Sequence, residues 1–147
     1  MNKSNDLILK TTTTAIVFIL LGFAIYLLFA GHNMPGGGFI GGLVTSGAII
    51  LLYMAYGEKV VSTLFKFNFR TLVPLGVLIA LLTGVGSFFF GKPFLTHTFG
   101  HITLPVFGSI ELATAMLFDI GVYLTVLGVT ITIILNVNER ESEDTSF

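Results

Sequence analysis

The chain has 147 residues, of which 54% are hydrophobic and 10% charged, and its mean hydropathy of +0.94 excludes a water-facing globule, which carries about a quarter charged residues. No cysteine is present, which excludes disulfides, thiolate metal sites and redox thiols. The formal net charge of -1 offers no basic surface to nucleic acid.

The apolar residues fall in four long blocks, and the length suits one membrane domain, 1–147. The first block covers 11–30. At ~1.5 Å rise per residue it is roughly 30 Å long, the thickness of the hydrocarbon layer. Lys3 and Lys10 precede it like the charged end of a signal peptide. The block is longer than a signal h-region and no small-x-small cleavage site follows, so it is expected to stay as a span. Further spans are expected at about 37–56, 72–90 and 112–135, followed by an acidic tail, 136–147. No segment alternates apolar and polar residues with the period of a membrane barrel. The fold class is therefore an all-α integral membrane protein with four transmembrane helices.

Between spans two and three, Val60, Val61, Leu64 and Phe65 alternate with Lys59, Lys66 and Arg70. This stretch reads as a short amphipathic helix on the membrane surface. Lys3, Lys10, Lys59, Lys66, Arg70 and Arg140 share one side of the four-span topology and Lys92 has the other to itself. That bias predicts cytoplasmic N and C termini and a cytoplasmic central loop.

The most specific local feature leads into span two: Gly31-His32-Asn33-Met34-Pro35-Gly36-Gly37-Gly38-Phe39-Ile40-Gly41-Gly42. Pro35 suits the start of a helix. Gly37/Gly41 and Gly38/Gly42 are four apart, the small-xxx-small spacing that lets helix backbones approach in lipid. The same residues could instead form an opened first turn lining an ion path. His32, beside this turn, is a hydrogen-bonding residue of the interface or a proton carrier. Span three carries Gly76, Ala80 and Gly84, and span four Gly121, Thr125, Gly128 and Thr132. A four-helix unit could use some of these stripes internally, and the rest suggest neighbouring subunits.

Span four also holds acids. Glu111 stands at its outer mouth, and Asp119 is eight residues, or ~12 Å, further in. A carboxylate near mid-membrane costs about 2.5–3.5 kcal/mol on insertion scales. The many Leu, Ile, Val and Phe residues of 112–135 offset this at about −0.3 to −0.6 kcal/mol each when central. The span therefore inserts with Asp119 in it. Tyr123, one turn along, is placed to hydrogen-bond Asp119. No Lys or Arg lies inside any span. The partner of Asp119 is then a hydroxyl, a histidine, water, a transported cation or another subunit. Ion or proton handling and a structural carboxyl at a subunit contact both remain open. His97 and His101 are four apart, but Gly100 and Pro105 argue against a helix there, and no metal site or cofactor is expected. No nucleophile–base pair or phosphate loop is present.

The glycine motif resembles that of the B subunit of the Mrp (also Mnh or Sha) multisubunit sodium/proton antiporters of bacteria. Other stretches carry the resemblance along the chain: Asn5-Asp6-Leu7-Ile8-Leu9, Phe29-Ala30-Gly31-His32, Pro93-Phe94-Leu95-Thr96-His97-Thr98-Phe99, and Glu111-Leu112-Ala113-Thr114-Ala115 with Phe118-Asp119. The resemblance implies one small subunit of a hetero-oligomeric complex in the bacterial plasma membrane. Such complexes expel sodium, sometimes potassium, in exchange for protons, driven by the protonmotive force. It implies other membrane subunits as partners, and a small component that the assembly needs. It assigns this chain no mechanism. The alternatives are a free-standing four-helix transporter, which a strong charge bias disfavours, and a scaffold subunit that carries no ion.

Overall fold

The computed structural model describes residues 3–31, 36–66, 68–89 and 107–144, apart from the side chains of 87–88, 107–112 and 142–144. Five helices follow in chain order: α1 Lys3–Ala30, α2 Gly37–Tyr56, α3 Glu58–Leu64, α4 Phe69–Phe89 and α5 Phe107–Asp144. Four of them, all but α3, are long and apolar enough to cross a membrane.

Two helices run past their predicted spans. α1 starts at Lys3 rather than near Thr11, and its added turns are held by the ion pair of Lys10 with Asp6, 2.8 Å apart and one turn away. α5 continues to Asp144, so residues 136–144 of the acidic tail extend the span instead of forming a separate segment. Its 38 residues give about 57 Å of helix against a hydrocarbon layer of about 30 Å. α4 contains Pro74. The ring removes the rung that would reach the Arg70 carbonyl, close enough to the helix start to be tolerated.

The helices form a row rather than a closed bundle. α5 packs on α2 with one face and on α4 with another, and α1 packs mainly on α2, with a small contact to α5. Among the described residues α1 does not meet α4, nor does α2. Glycine makes each junction. A Cβ on Gly76 of α4 would lie 2.6 Å from the Gly121 carbonyl oxygen and 2.6 Å from Thr125 N. One on Gly121 would lie 2.8 Å from Ala80 N. These are backbone atoms, which cannot swing aside. In lipid such close backbone approach replaces the hydrophobic drive that holds a soluble core. The stripes predicted on α4 and α5 thus face each other, and Gly76, Gly121 and Gly128 mark a contact within the chain, not the outside neighbours that the sequence suggested for some of them.

The two neighbours of α5 are staggered along it. Gly38, the second residue of α2, meets Asp119, whereas Ala80 of α4 meets Gly121. Counting along antiparallel helices from Ala80, Phe89 reaches about the level of Leu112. α4 therefore rises roughly 9 Å beyond the start of α2. At the opposite end it falls short, with Phe69 level with Gly128. α3 and the chain after it fill the space below. Val61 is 0% exposed, in a cluster with Ile49, Phe69, Leu127 and Ile131. The predicted surface helix is anchored in the core through Val61, while Val60, Leu64, Lys59 and Ser62 stay exposed.

Glycines separate into packed and open positions, which gives an internal control. Gly22 of α1 has nothing within 4 Å of a built Cβ. Gly121→Leu should lower the thermal midpoint of the detergent-solubilised chain by the equivalent of about 1–3 kcal/mol, the usual cost of overpacking. Gly22→Leu should leave it near the parent value. Equal midpoints for the two variants would contradict the α4–α5 junction.

Candidate functional site

Asp119 and Tyr123 of α5 meet the described glycines of the motif where α2 begins beside α5. Gly36 enters the helix at φ +104°, a left-handed conformation that glycine adopts without strain. It is the N-cap of α2, and its carbonyl accepts the Ile40 N–H at 3.0 Å. The hydrogen-bond ladder is thus engaged from the first turn. His32 and Pro35 lie outside the described residues, as do His97 and His101. Phe39 is exposed on α2.

The next four glycines work in two pairs. Gly37 and Gly41 face α1: a Cβ on Gly37 would strike the Gly31 Cα, and one on Gly41 would lie 3.1 Å from the Ala24 carbonyl oxygen. Gly38 and Gly42 face α5: a Cβ on Gly38 would strike the Asp119 carbonyl oxygen, and one on Gly42 would lie 3.0 Å from that of Tyr123. Adjacent residues on a helix point about 100° apart, so two glycine pairs offset by one residue serve two different neighbours. The first turn of α2 is closed on both sides by backbone.

Asp119 sits at the α5 side of this junction, half-buried. It is level with the start of α2, whose 20 residues span about 30 Å. Relative to α2 it is therefore level with the first turn of that helix. Relative to α4, which rises higher, it is deeper. The two measures place it at a step between the α1–α2 pair and the α4–α5 pair. Glu111 is on α5, eight residues nearer its start.

Tyr123 is turned toward α2. Its Oη is 2.8 Å from Thr45 Oγ1, and Thr45 Oγ1 donates to the Gly41 carbonyl at 2.9 Å. Threonine has one hydroxyl proton. With that proton on Gly41, Tyr123 is the donor of the cross-helix bond. The tyrosine thus ties α5 to α2 one turn below Asp119, rather than donating to Asp119 as the sequence suggested. The same device recurs between α1 and α2, where Tyr56 Oη meets Thr14 Oγ1 at 2.6 Å and Thr14 bonds the Lys10 carbonyl at 2.8 Å. Sequence reasoning did not find these Tyr–Thr ties, since their partners are 78 and 42 residues apart. Among the described residues no group of three His, Cys, Asp or Glu side chains could hold a metal.

A staggered row of spanning helices, joined backbone to backbone and carrying one half-buried carboxyl at its step, defines a small multi-pass membrane protein. The comparison with known proteins gives its family. Residues 8–132 match the family described as a domain related to the MnhB subunit of Na+/H+ antiporter, and the chain belongs to that family. It is 57% identical over 139 residues to the B subunit of the Na(+)/H(+) antiporter of Bacillus subtilis, covering 95% of this chain and 97% of that one. It is 46% identical over 139 residues to the corresponding Na(+)/H(+) antiporter B subunit of Alkalihalophilus pseudofirmus, covering 95% and 96%.

The Tyr123–Thr45 bond can be weighed by a double-mutant cycle on thermal unfolding in detergent. Bonds of this kind between membrane helices average about 0.6 kcal/mol. Tyr123→Phe and Thr45→Val are expected to show a coupling of that order. A coupling of zero would mean that the hydroxyls do not meet.

Proposed function

We infer that this chain is a membrane subunit of a multisubunit sodium/proton antiporter of the bacterial plasma membrane. The observation that carries this reading is the family match, which runs through all four spanning helices. The protein is a component of a secondary transporter. Other subunits of the antiporter are its partners.

The row supports a role as a connecting subunit. α1 and α4 are its two ends, and both present large apolar side chains: Phe18 is 72% exposed and Leu82 63%. Such surfaces suit lipid or the helices of other subunits equally well. A chain that carried ions alone would surround its path, and a row surrounds nothing. The free-standing transporter is disfavoured on that ground.

The cation-rich end of the row faces the cytoplasm. Lys10 lies beside Tyr56 at the end of α2, and Arg70 bonds Asn136. These contacts bring the basic residues of three connections to one end, as the charge rule requires. The cysteine-free background permits a direct test. Single cysteines at Ser4, Ser62 and Lys92 are probed on intact cells with an impermeant thiol reagent. Lys92→Cys alone should react, and reaction at Ser62→Cys would reverse the orientation.

Asp119 is the residue of this chain that handles protons or cations, from its step beside the first turn of α2. A carboxyl there meets water from the outer side more readily than one at mid-membrane, so its charge is available for part of a cycle. Asp119→Asn keeps size and hydrogen bonding but removes titration. It should leave the complex assembled, with sodium-dependent proton exchange in membrane vesicles lowered by at least about tenfold, as for loss of a transferring group. Failed assembly, with normal turnover in the fraction that does assemble, would instead make Asp119 a docking carboxyl, because a buried cation elsewhere would lose its partner.

A further inference from the structure

The end of the row opposite Asp119 holds a crevice that the transport reading does not use. Its volume is about 500 Å³, within the range of small-molecule sites, about 300–1,000 Å³. It exists because α4 starts late beside α5, so that α3 and the chain after it turn under the end of α4 and leave a gap. Phe65 and Phe69, ring centroids 5.9 Å apart, give it an apolar wall. Glu58, Glu139, Lys66 and Arg70 give it charges of both signs. Thr132 also lines it, and among the described residues Thr132 Oγ1 is the buried side-chain polar atom without a hydrogen-bond partner. A buried hydroxyl left unpaired costs stability unless something meets it. Neither Glu58 nor Lys66 forms an ion pair among the described residues.

The crevice lies where the apolar stretches of α2 and α5 give way to polar chain, which is the level of the lipid headgroups. We propose that it binds the headgroup of a zwitterionic phospholipid of the phosphatidylethanolamine kind. The phosphate lies against Lys66 and Arg70, where a guanidinium and an ammonium give charge-assisted bonds. The lipid ammonium lies against Glu58. The glycerol and upper acyl carbons lie along Phe65 and Phe69. Charge decides between headgroups. An anionic lipid would use the two cations but would set its charge against Glu58 and Glu139, whereas a zwitterionic one satisfies both signs. A protein loop would need the same pairing without the apolar wall running into the bilayer. Basic pockets at the cytoplasmic ends of spans commonly hold lipid phosphates; the carboxylate here selects among them.

The test uses the whole complex containing the full tagged chain, purified in mild detergent and titrated with phosphatidylethanolamine or phosphatidylglycerol. Retained lipid is read by native mass spectrometry. Inorganic phosphate and free phosphoethanolamine serve as soluble competitors. Phosphatidylethanolamine should be retained in preference. Glu58→Gln should weaken its retention roughly tenfold, the weight of one charge-assisted bond, and strengthen that of phosphatidylglycerol, which no longer meets the carboxylate. Lys66→Gln with Arg70→Gln should weaken both lipids. These three side chains are exposed, so assembly should be normal, which the recovery of the other subunits verifies. Preference for phosphatidylglycerol, indifference to Glu58→Gln, displacement by either soluble competitor at matched concentration, or a complex holding no lipid because another subunit fills the crevice would each overturn the proposal. None of these outcomes bears on sodium/proton exchange, so the two readings fail independently.

Discussion

The structure depends on how closely two helices can approach α5. A membrane helix gains little by leaving lipid for another apolar surface, so its partners must come near enough for backbone atoms to touch. α5 meets this condition twice, through Gly38 and Gly42 of α2 on one face and through its own Gly121 against Gly76 and Ala80 of α4 on another. α2 meets it again toward α1 through Gly37 and Gly41. Because each junction is a pair of faces, the result is a row with α5 and α2 inside it and α1 and α4 at its ends.

The row explains where the polar groups lie. Hydroxyls in lipid need partners, and Thr14, Thr45, Ser46 and Thr125 each bond a carbonyl one turn back on their own helix. Two of these threonines, Thr14 and Thr45, also hydrogen-bond a tyrosine hydroxyl of the next helix, at junctions that glycine has already closed. The stagger of α2 and α4 against α5 creates two further features at opposite ends. One is the step that holds Asp119, and the other is the crevice under α4. A single geometric offset, roughly 9 Å at the rise of a helix, thus gives a carboxyl near one surface and a mixed-charge gap near the other.

Helix number and type were legible in the sequence, because four apolar blocks of membrane length leave few alternatives. The glycine spacing also pointed to close packing. It could not say which glycines face which helix, since Gly37 and Gly38 differ by one residue and serve different neighbours. The start of α1 was missed because hydropathy falls at Asp6 and Lys10, two residues that hold their helical turn by pairing with each other. The burial of Val61 was missed because charge alternation on α3 reads the same on a membrane surface as against a core. The depth of Asp119 relative to its neighbours was not legible for a related reason. Counting along one helix gives depth only if all helices start level, and α2 and α4 do not.

The row itself is tested most directly by a distance between its two ends. Ile25 of α1 and Leu78 of α4 are both exposed and lie at similar levels, since Ala24 adjoins Gly41 and the Gly76–Ala80 stretch adjoins Gly121. Spin labels at Ile25→Cys and Leu78→Cys, in the chain without other cysteines, report that separation by pulsed electron resonance. Neighbouring helix axes are about 8–10 Å apart, and with α5 between α1 and α4 the labels should lie about 16–20 Å apart or more. A distribution centred near ~10 Å, the spacing of adjacent helices, would mean that α1 and α4 touch in a closed bundle, and would contradict the arrangement on which the step, the crevice and their proposed roles all rest.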